Sequence, residues 1–261
     1  DSTGLGLQKL NLTLVGETDL DEYARRLSDQ PQELDALYGD LLIGVTQFFR
    51  DPQTFELLTQ TVFPDLIHSI EFDQPIRAWV AGCATGEEAY SMAIAFHEAC
   101  RRIGRPFRLK LFATDVHKSS LEFAGRGAYD PSALAGLTSE RIERYFEFHD
   151  GSYHVLPELR KSIVFAPHNV LNDAPFTDLN FVSCRNMLIY FQPAAQRRAL
   201  SMFHYALNQN GILLLGGSES PGELSGEFET VYDRERIYRK LRAVRLPNEF
   251  RSPMNRQSAS S

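Results

Sequence analysis

The sequence predicts an α/β protein built on a mostly parallel sheet with helices on both faces. Two observations carry this. A short apolar run at 76–81 reads as a buried strand, and 109–114 reads as a second. Helical patterns follow them, at 87–99 and from Ser119, so strands and helices alternate. In such a sheet a ligand sits at the carboxyl ends of the strands, near the point where strand order reverses.

Taken in order, residues 1–18 have weak periodicity and are expected to be poorly ordered. Leu20, Tyr23, Leu27, Leu34, Leu37, Leu41 and Leu42 recur at helical spacing over 19–43, broken at Pro31. Phe55, Leu57, Leu58, Val62, Leu66 and Ile67 repeat the pattern over 53–70. Beyond the first two strand–helix units, 161–167 and 179–183 are further strand candidates, and Pro193 opens a helix over 193–207. A strand at 212–215 follows Asn210-Gly211, and 228–231 with 237–239 suggest a closing hairpin. Residues 129–160 interrupt the rhythm with a charged helix at 138–147 and read as a small inserted subdomain. The expected division is therefore an N-terminal helical subdomain over 1–70, an α/β domain over 71–245 and a flexible tail over 246–261.

The chain has 261 residues, of which 43% are hydrophobic and 23% charged, as in an ordinary globular protein, so wholesale disorder and a disulfide-stapled mini-protein are excluded. The net charge is −7, unevenly spread: residues 1–75 hold 14 acids against Lys9, Arg25, Arg26 and Arg50. That is the opposite of the basic stripe a nucleic-acid binder needs, and the eight Arg and Lys between Arg234 and Arg256 read as a solvated face. No apolar run approaches the roughly 18 residues of a membrane span. Cys83, Cys100 and Cys184 are far apart and, with no signal-peptide pattern, read as reduced thiols in a cytoplasmic chain. No Cys/His cluster has metal spacing, so no metal is expected. His168 and His204 read as satisfied structural histidines, and Phe48 and Phe49 as packing residues.

The first strand runs into Gly82-Cys83-Ala84-Thr85-Gly86-Glu87-Glu88, a strand–glycine turn–helix start. Gly82 and Gly86 let backbone approach a ligand closely. The loop is neither GxGxxG nor the phosphate-binding GxxxxGK[ST], and its two glutamates repel phosphate while suiting a cationic ligand or the helix dipole. The second strand ends in Asp115, an acid suited either to a ribose or to capping the next helix. Acidic loops without a phosphate cradle point to S-adenosylmethionine rather than a nicotinamide cofactor.

At this point the chain resembles the CheR family of chemotaxis methyltransferases, most closely the methyltransferase part of fused CheB–CheR proteins. The matching segments are Val45-Thr46-Gln47-Phe48-Phe49-Arg50, Ala84-Thr85-Gly86-Glu87-Glu88-Ala89-Tyr90-Ser91, Phe112-Ala113-Thr114-Asp115, His168-Asn169-Val170-Leu171, Cys184-Arg185-Asn186-Met187-Leu188-Ile189-Tyr190-Phe191 and Gly217-Ser218-Glu219-Ser220. The resemblance implies a Rossmann-like class I methyltransferase domain with a small N-terminal helical subdomain and an inserted small β-subdomain for receptor docking. It implies S-adenosylmethionine as cofactor, S-adenosylhomocysteine as product, and the glutamates of methyl-accepting chemotaxis-type receptors, on their cytoplasmic helices, as substrate. No nucleic acid and no membrane insertion are implied. By the same resemblance Thr46 and Arg50 line the cofactor pocket, Glu88 and Asp115 are its acidic contacts, and Asn169 and Val170 lie beside the adenine. Arg185 and Asn186 edge the methionine part, and Arg50 and Tyr190 stand closest to the transferred methyl.

The chemistry suits such residues. A glutamate is ionised at neutral pH, with a reference pKa of about 4.3, so no general base is needed. Charge fades as the sulfonium and carboxylate react, so a dry, aligned site helps. Arg50 can orient the carboxylate with its planar fork, although a surface ion pair to Asp51 or Glu56 would also explain it. Tyr190 can hydrogen-bond the carboxylate, or pack beside Ile189 and Phe191. Gly44 stands where relatives usually carry Asn, and residues 1–43 lack the family's basic helix that grips acidic receptor helices. Two other functions therefore stay open: a catalytically silent cofactor-binding signalling module, and a methyltransferase acting on another substrate.

Overall fold

The computed structural model describes residues 46–243. The helices expected over 19–43 and the tail over 246–261 lie outside the described residues. The chain divides into two compact units, 1–47 and 48–261, and the account below concerns the second. This division differs from the expected subdomain ending at residue 70, because the helical run after Phe48 belongs with the sheet. Its Phe63 ring stacks on Phe96 at 3.6 Å and meets Phe181 edge-on at 5.2 Å.

That run comprises α1 (Pro52–Leu57), a π-wound turn (Leu58–Val62) and α2 (Phe63–His68). Pro64 lacks an N–H and would crowd the carbonyl one α-turn earlier. The widened turn ahead of it, closed by Phe63 N–H donating to Leu58 O, relieves that crowding.

The strands follow the predicted alternation: β1 (Ile76–Ala81), α3 (Glu87–Arg102), β2 (Leu109–Asp115), α4 (Lys118–Arg126) and, after an insertion, β6 (Ile163–Pro167), β7 (Leu179–Cys184), α7 (Pro193–Ala206) and β8 (Leu207–Leu215). The hairpin β9 (Phe228–Tyr232) and β10 (Ile237–Lys240) closes the sheet, whose order is β6-β2-β1-β7-β8-β10-β9. The first five strands are parallel and the last two antiparallel. Side-chain alternation explains the double covering: Ile76, Ala78 and Val80 of β1 enter one core with α3, while Trp79 and Ala81 enter the other with α7. Trp79 is fully buried, and its Nε1–H finds Thr114 Oγ1 at 2.8 Å. β8 begins at Leu207 rather than the expected 212, and Asn210-Gly211 form an irregularity within the strand, where the pairing with β7 slips.

The insertion is a three-stranded antiparallel sheet, β3 (Ala128–Tyr129), β4 (Phe146–His149) and β5 (Ser152–Val155), in the order β3-β5-β4, with helices α5 (Ser139–Tyr145) and α6 (Pro157–Arg160). Helix α5 is shorter than the expected 138–147: Thr138 caps it through Arg141 N–H, and Phe146 is already extended.

The basic stretch is not simply a solvated face. Arg236 pairs with Asp233, Arg239 with Glu229 and Arg242 with Glu227, while Lys240 is buried and donates to the His204 and Leu207 carbonyls at the end of α7. His204 is structural but not satisfied: it is fully buried with both ring nitrogens lacking hydrogen-bond partners. His168 reaches Ala174 O through Nε2, and its Nδ1 has no partner. No described helix is long and apolar enough to cross a membrane, and the described residues contain no cluster of three or more His, Cys, Asp or Glu able to hold a metal ion.

Candidate functional site

Strand order reverses at β1, which has β2 on one side and β7 on the other. The carboxyl ends of β1, β2, β6 and β7 bring Gly82, Asp115, Asn169–Val170 and Arg185–Asn186 to one edge of the sheet. Separate sequence segments thereby converge.

The loop after β1 is held by its own amides. Gly82 and Cys83 N–H donate to Thr114 O at 2.8 and 2.9 Å, Gly86 N–H to Cys83 O at 2.9 Å, and Ala84 N–H to Asp115 Oδ2 at 2.9 Å. These donors are not available to cradle a phosphate. Gly82 has φ +71°, and a Cβ there would meet Met187 Sδ at 2.9 Å, so the β7 loop lies directly against it. At the start of α3, Glu87 is buried and accepts from Thr85 Oγ1 at 2.7 Å; burial pushes its carboxyl pKa up, partly offset by that hydrogen bond. Tyr129 of the inserted sheet donates to Thr85 O at 2.8 Å and ties the subdomain to this loop.

Asp115 is buried, and its carboxylate also accepts His117 N–H at 3.0 Å. The N-cap of α4 is His117, so Asp115 braces the turn ahead of the helix rather than capping it. A carboxylate offers about four acceptor positions, and two remain beyond the Ala84 and His117 amides. The Asp115 carbonyl accepts from His168 N–H at 3.0 Å, which fixes the neighbouring Asn169–Val170 segment. Asn169 accepts Leu171 N–H through its side chain, and Val170 is buried.

Arg185 is the electrostatic hub. Its side chain is 2% exposed, and Nη2 donates to Arg50 O at 3.0 Å and to Asp51 Oδ2 at 2.5 Å. Nη1 pairs with Glu88 Oε2 at 3.4 Å, and Glu88 also accepts from Ser183 Oγ at 2.6 Å. The Arg50 segment is thereby fastened to β7 and α3. Its backbone is strained: Phe49 and Asp51 have φ of 52° and 62°, costly for a bulky residue such as Phe. Packing holds it there. Phe48 is buried edge-on to Tyr129 and Phe146, and Phe49 is buried, gives its N–H to Ser91 Oγ and lies under the Arg141 guanidinium at 3.7 Å. Both phenylalanines are packing residues, as expected.

Tyr190 is not core: it is 67% exposed on a single 3₁₀ turn (Leu188–Tyr190), and Ile189 is exposed beside it. Thr46 belongs to the first compact unit. A cavity of about 460 Å³ opens beside the hub, lined by Asp51, Thr54, Arg185, Gly217 and Arg234 among others. A larger one of about 670 Å³, between α1, the end of α3 and α5, is remote from the strand ends and lined mainly by charged side chains.

Sequence reasoning quoted Glu219 without giving it a role. It is buried, and its two oxygens accept the backbone N–H groups of Asn186, Leu188, Ile189 and Gly216. Backbone partners leave no residue-type signal, and only the reach from the β8 end back to the β7 loop could have hinted at them.

Comparison with known proteins identifies the family. The family described as CheR methyltransferase, SAM binding domain, matches residues 44–237. An uncharacterized 104.1 kDa protein of Rhodobacter capsulatus is 44% identical over 88% of this chain and 24% of its own length, so the chain spans about a quarter of that relative. Chemotaxis protein methyltransferase 1 of Pseudomonas aeruginosa is 34% identical over 83% of this chain and 81% of its own. A chemotaxis protein methyltransferase of Vibrio parahaemolyticus is 34% identical over 76% and 72%.

Proposed function

The chain belongs to the CheR family of S-adenosylmethionine-dependent methyltransferases, and from that premise we propose that it methylates glutamate side chains of chemotaxis-type receptors, forming carboxyl methyl esters. The carrying observation is the β1 loop, in which the Gly82, Cys83, Ala84 and Gly86 amides are committed internally while Glu88 and Asp115 flank it. Such a loop disfavours a phosphate and suits a cofactor with a cationic sulfonium, an ammonium and an uncharged nucleoside. The receptor as substrate is supported by the names of the relatives. The match to a quarter of a 104.1 kDa protein is in keeping with the methyltransferase part of a fused chain.

When bound, S-adenosylmethionine supplies an electrophilic methyl group on sulfur. In this reading Asp115 accepts from the ribose hydroxyls with its two remaining acceptor positions, and Asn169 and Val170 flank the adenine. Glu88, Arg185 and Asn186 edge the methionine end, and Gly82 gives close backbone approach. Arg50 orients the substrate carboxylate, and its strained, well-packed segment supports a fixed geometry. A clamp that held the anion tightly would stabilise the ground state, so the role of Arg50 is orientation. The exposure of Tyr190 supports contact with an incoming receptor helix. The substrate arrives ionised and no base is required.

Calorimetric titration with S-adenosylhomocysteine tests the cofactor, with micromolar binding at one site per chain expected; a folded chain that does not bind overturns the assignment. Transfer of labelled methyl to a receptor cytoplasmic fragment tests the substrate. Label released by mild base supports the ester, base-stable label points to another acceptor, and binding without transfer by the full-length protein identifies a silent module. Arg50→Ala is expected to lower turnover more than it weakens cofactor binding; equal losses would make Arg50 a cofactor or folding residue.

A further inference from the structure

We propose that Glu219 is a positioning residue, which fixes the Asn186–Tyr190 loop in the shape that methyl transfer uses; this rests on the function proposed above. The chain leaves β7 through Arg185 and enters Asn186 at φ 58°, a left-handed turn that Asn tolerates. After that turn the N–H groups of Asn186, Leu188 and Ile189 converge with that of Gly216 and need acceptors. Glu219 supplies them all: Oε1 receives Leu188 N–H at 2.7 Å and Ile189 N–H at 3.3 Å, and Oε2 receives Gly216 N–H at 2.7 Å and Asn186 N–H at 3.0 Å. Four donors occupy the about four acceptor positions of a carboxylate, so Glu219 has none left for cofactor or substrate. It acts through the loop.

Gln196 holds the other side of the same loop, its Nε2 donating to Leu188 O and Phe191 O at 3.0 Å each. Glu219 takes the amides, Gln196 the carbonyls, and the exposed Tyr190 is carried between them. Gly216 completes the seat by closeness: a Cβ there would lie 2.6 Å from Glu219 Oε2 and 2.8 Å from Asn186 N, so no side chain fits.

Glu219→Gln keeps one acceptor oxygen and turns a second donor group toward two N–H groups, so it loosens the loop with little change of volume. Gly216→Ala reaches the same point by displacement and serves if Glu219→Gln does not fold. Hydrogen exchange in the variant is expected to rise at least about tenfold at the amides of Asn186, Leu188, Ile189 and Gly216, with β1 and α3 unchanged. Turnover is expected to fall by up to about a hundredfold, as for a small misplacement of reacting groups, and by a larger factor than receptor KM rises. Tyr190→Phe is expected to cost less in the Glu219→Gln background than in wild type. Unchanged exchange, exchange accelerated equally throughout the sheet, or strictly multiplicative kinetic losses overturn the proposal. If wild type itself transfers no methyl, the proposed function fails while the exchange data still decide whether Glu219 fixes the loop.

Discussion

Arg185→Met is the sharpest perturbation of the site, because methionine keeps the apolar stem and deletes the charged, donating guanidinium. The guanidinium donates to Arg50 O and Asp51 Oδ2 and pairs with Glu88. The bond from a charged donor to the Arg50 carbonyl is worth about 1.5–3 kcal/mol. Asp51 is 59% exposed, so its ion pair adds no more than about 1 kcal/mol despite its short length. Glu88, only 17% exposed, keeps Ser183 Oγ but loses its cation, and an uncompensated carboxylate in that position adds to the cost. The expected loss is about 3–5 kcal/mol of folding stability, read from urea unfolding with unchanged m-value. Glu88→Gln in the Arg185→Met background should return part of it, since the amide needs no counter-charge. The Arg50 segment, strained at Phe49 and Asp51, should also relax and lower turnover beyond the loss in cofactor affinity. A loss under about 0.5 kcal/mol, or no recovery from Glu88→Gln, would refute the hub.

Asp115→Ala should cost at least about 2 kcal/mol of stability, because the Ala84 and His117 amides lose a charged acceptor, and should weaken S-adenosylhomocysteine binding by about 1–3 kcal/mol; a folded Asp115→Asn with wild-type affinity would count against the ribose contact. His204 is pushed down to about 4 by burial and then by Lys240 and Arg242, while Glu227 Oε2 lies 3.7 Å from Nε2. The unfolded ring titrates near 6.5, so the unfolded state binds more protons between these values. Stability is therefore complete above about pH 6.5 and falls toward pH 4 by up to about 1.4 kcal/mol per unit, and His204→Leu should remove that slope in urea midpoints measured across the range. Cys83, Cys100 and Cys184 are buried, and burial is the first cause raising each thiol above its ordinary pKa. Iodoacetamide near pH 8 should label none in the native chain and all three after denaturation, and stoichiometric native labelling would contradict the burial.

The sheet was legible because strands buried on both faces need short, largely apolar runs, and Ile76–Ala81 and Leu109–Asp115 supply them, interrupted near their starts by Arg77 and Lys110. The misreadings came where local pattern competes with packing. The period over 53–70 looked like a separate helical layer, yet Phe63 and its neighbours are the cover of the sheet. Asn210-Gly211 carries a turn signal, but β7 and β10 pair with Leu207–Leu215 on both sides and absorb it as an irregularity. Lys240 and His204 looked like surface charge and a satisfied ring, because no local pattern says that the end of α7 folds its carbonyls onto that lysine.

The candidate site divides in the same way. Gly82, Glu88 and Asp115 stand at strand ends and helix starts, where residue type is tied to turn geometry and charge, so a linear reading singles them out; Arg185 was singled out by the family resemblance alone. What their neighbours do to them is tertiary. Asp115 suggested a ribose or a cap, and the fold adds a brace on Ala84; for Arg185 the family resemblance implied a pocket edge, and the fold makes it the link between Arg50 and Glu88. Among the described residues, the two carboxylates that receive the most backbone amides are Asp115 and Glu219. Each one fixes a loop at the carboxyl ends of the strands, and Glu219 does so with no acceptor position left over. A carboxylate consumed by backbone cannot be replaced by an amide without turning a donor into a ring of donors. The sequence records that demand only as an acid in a loop, and the convergence of four N–H groups gives it a reason.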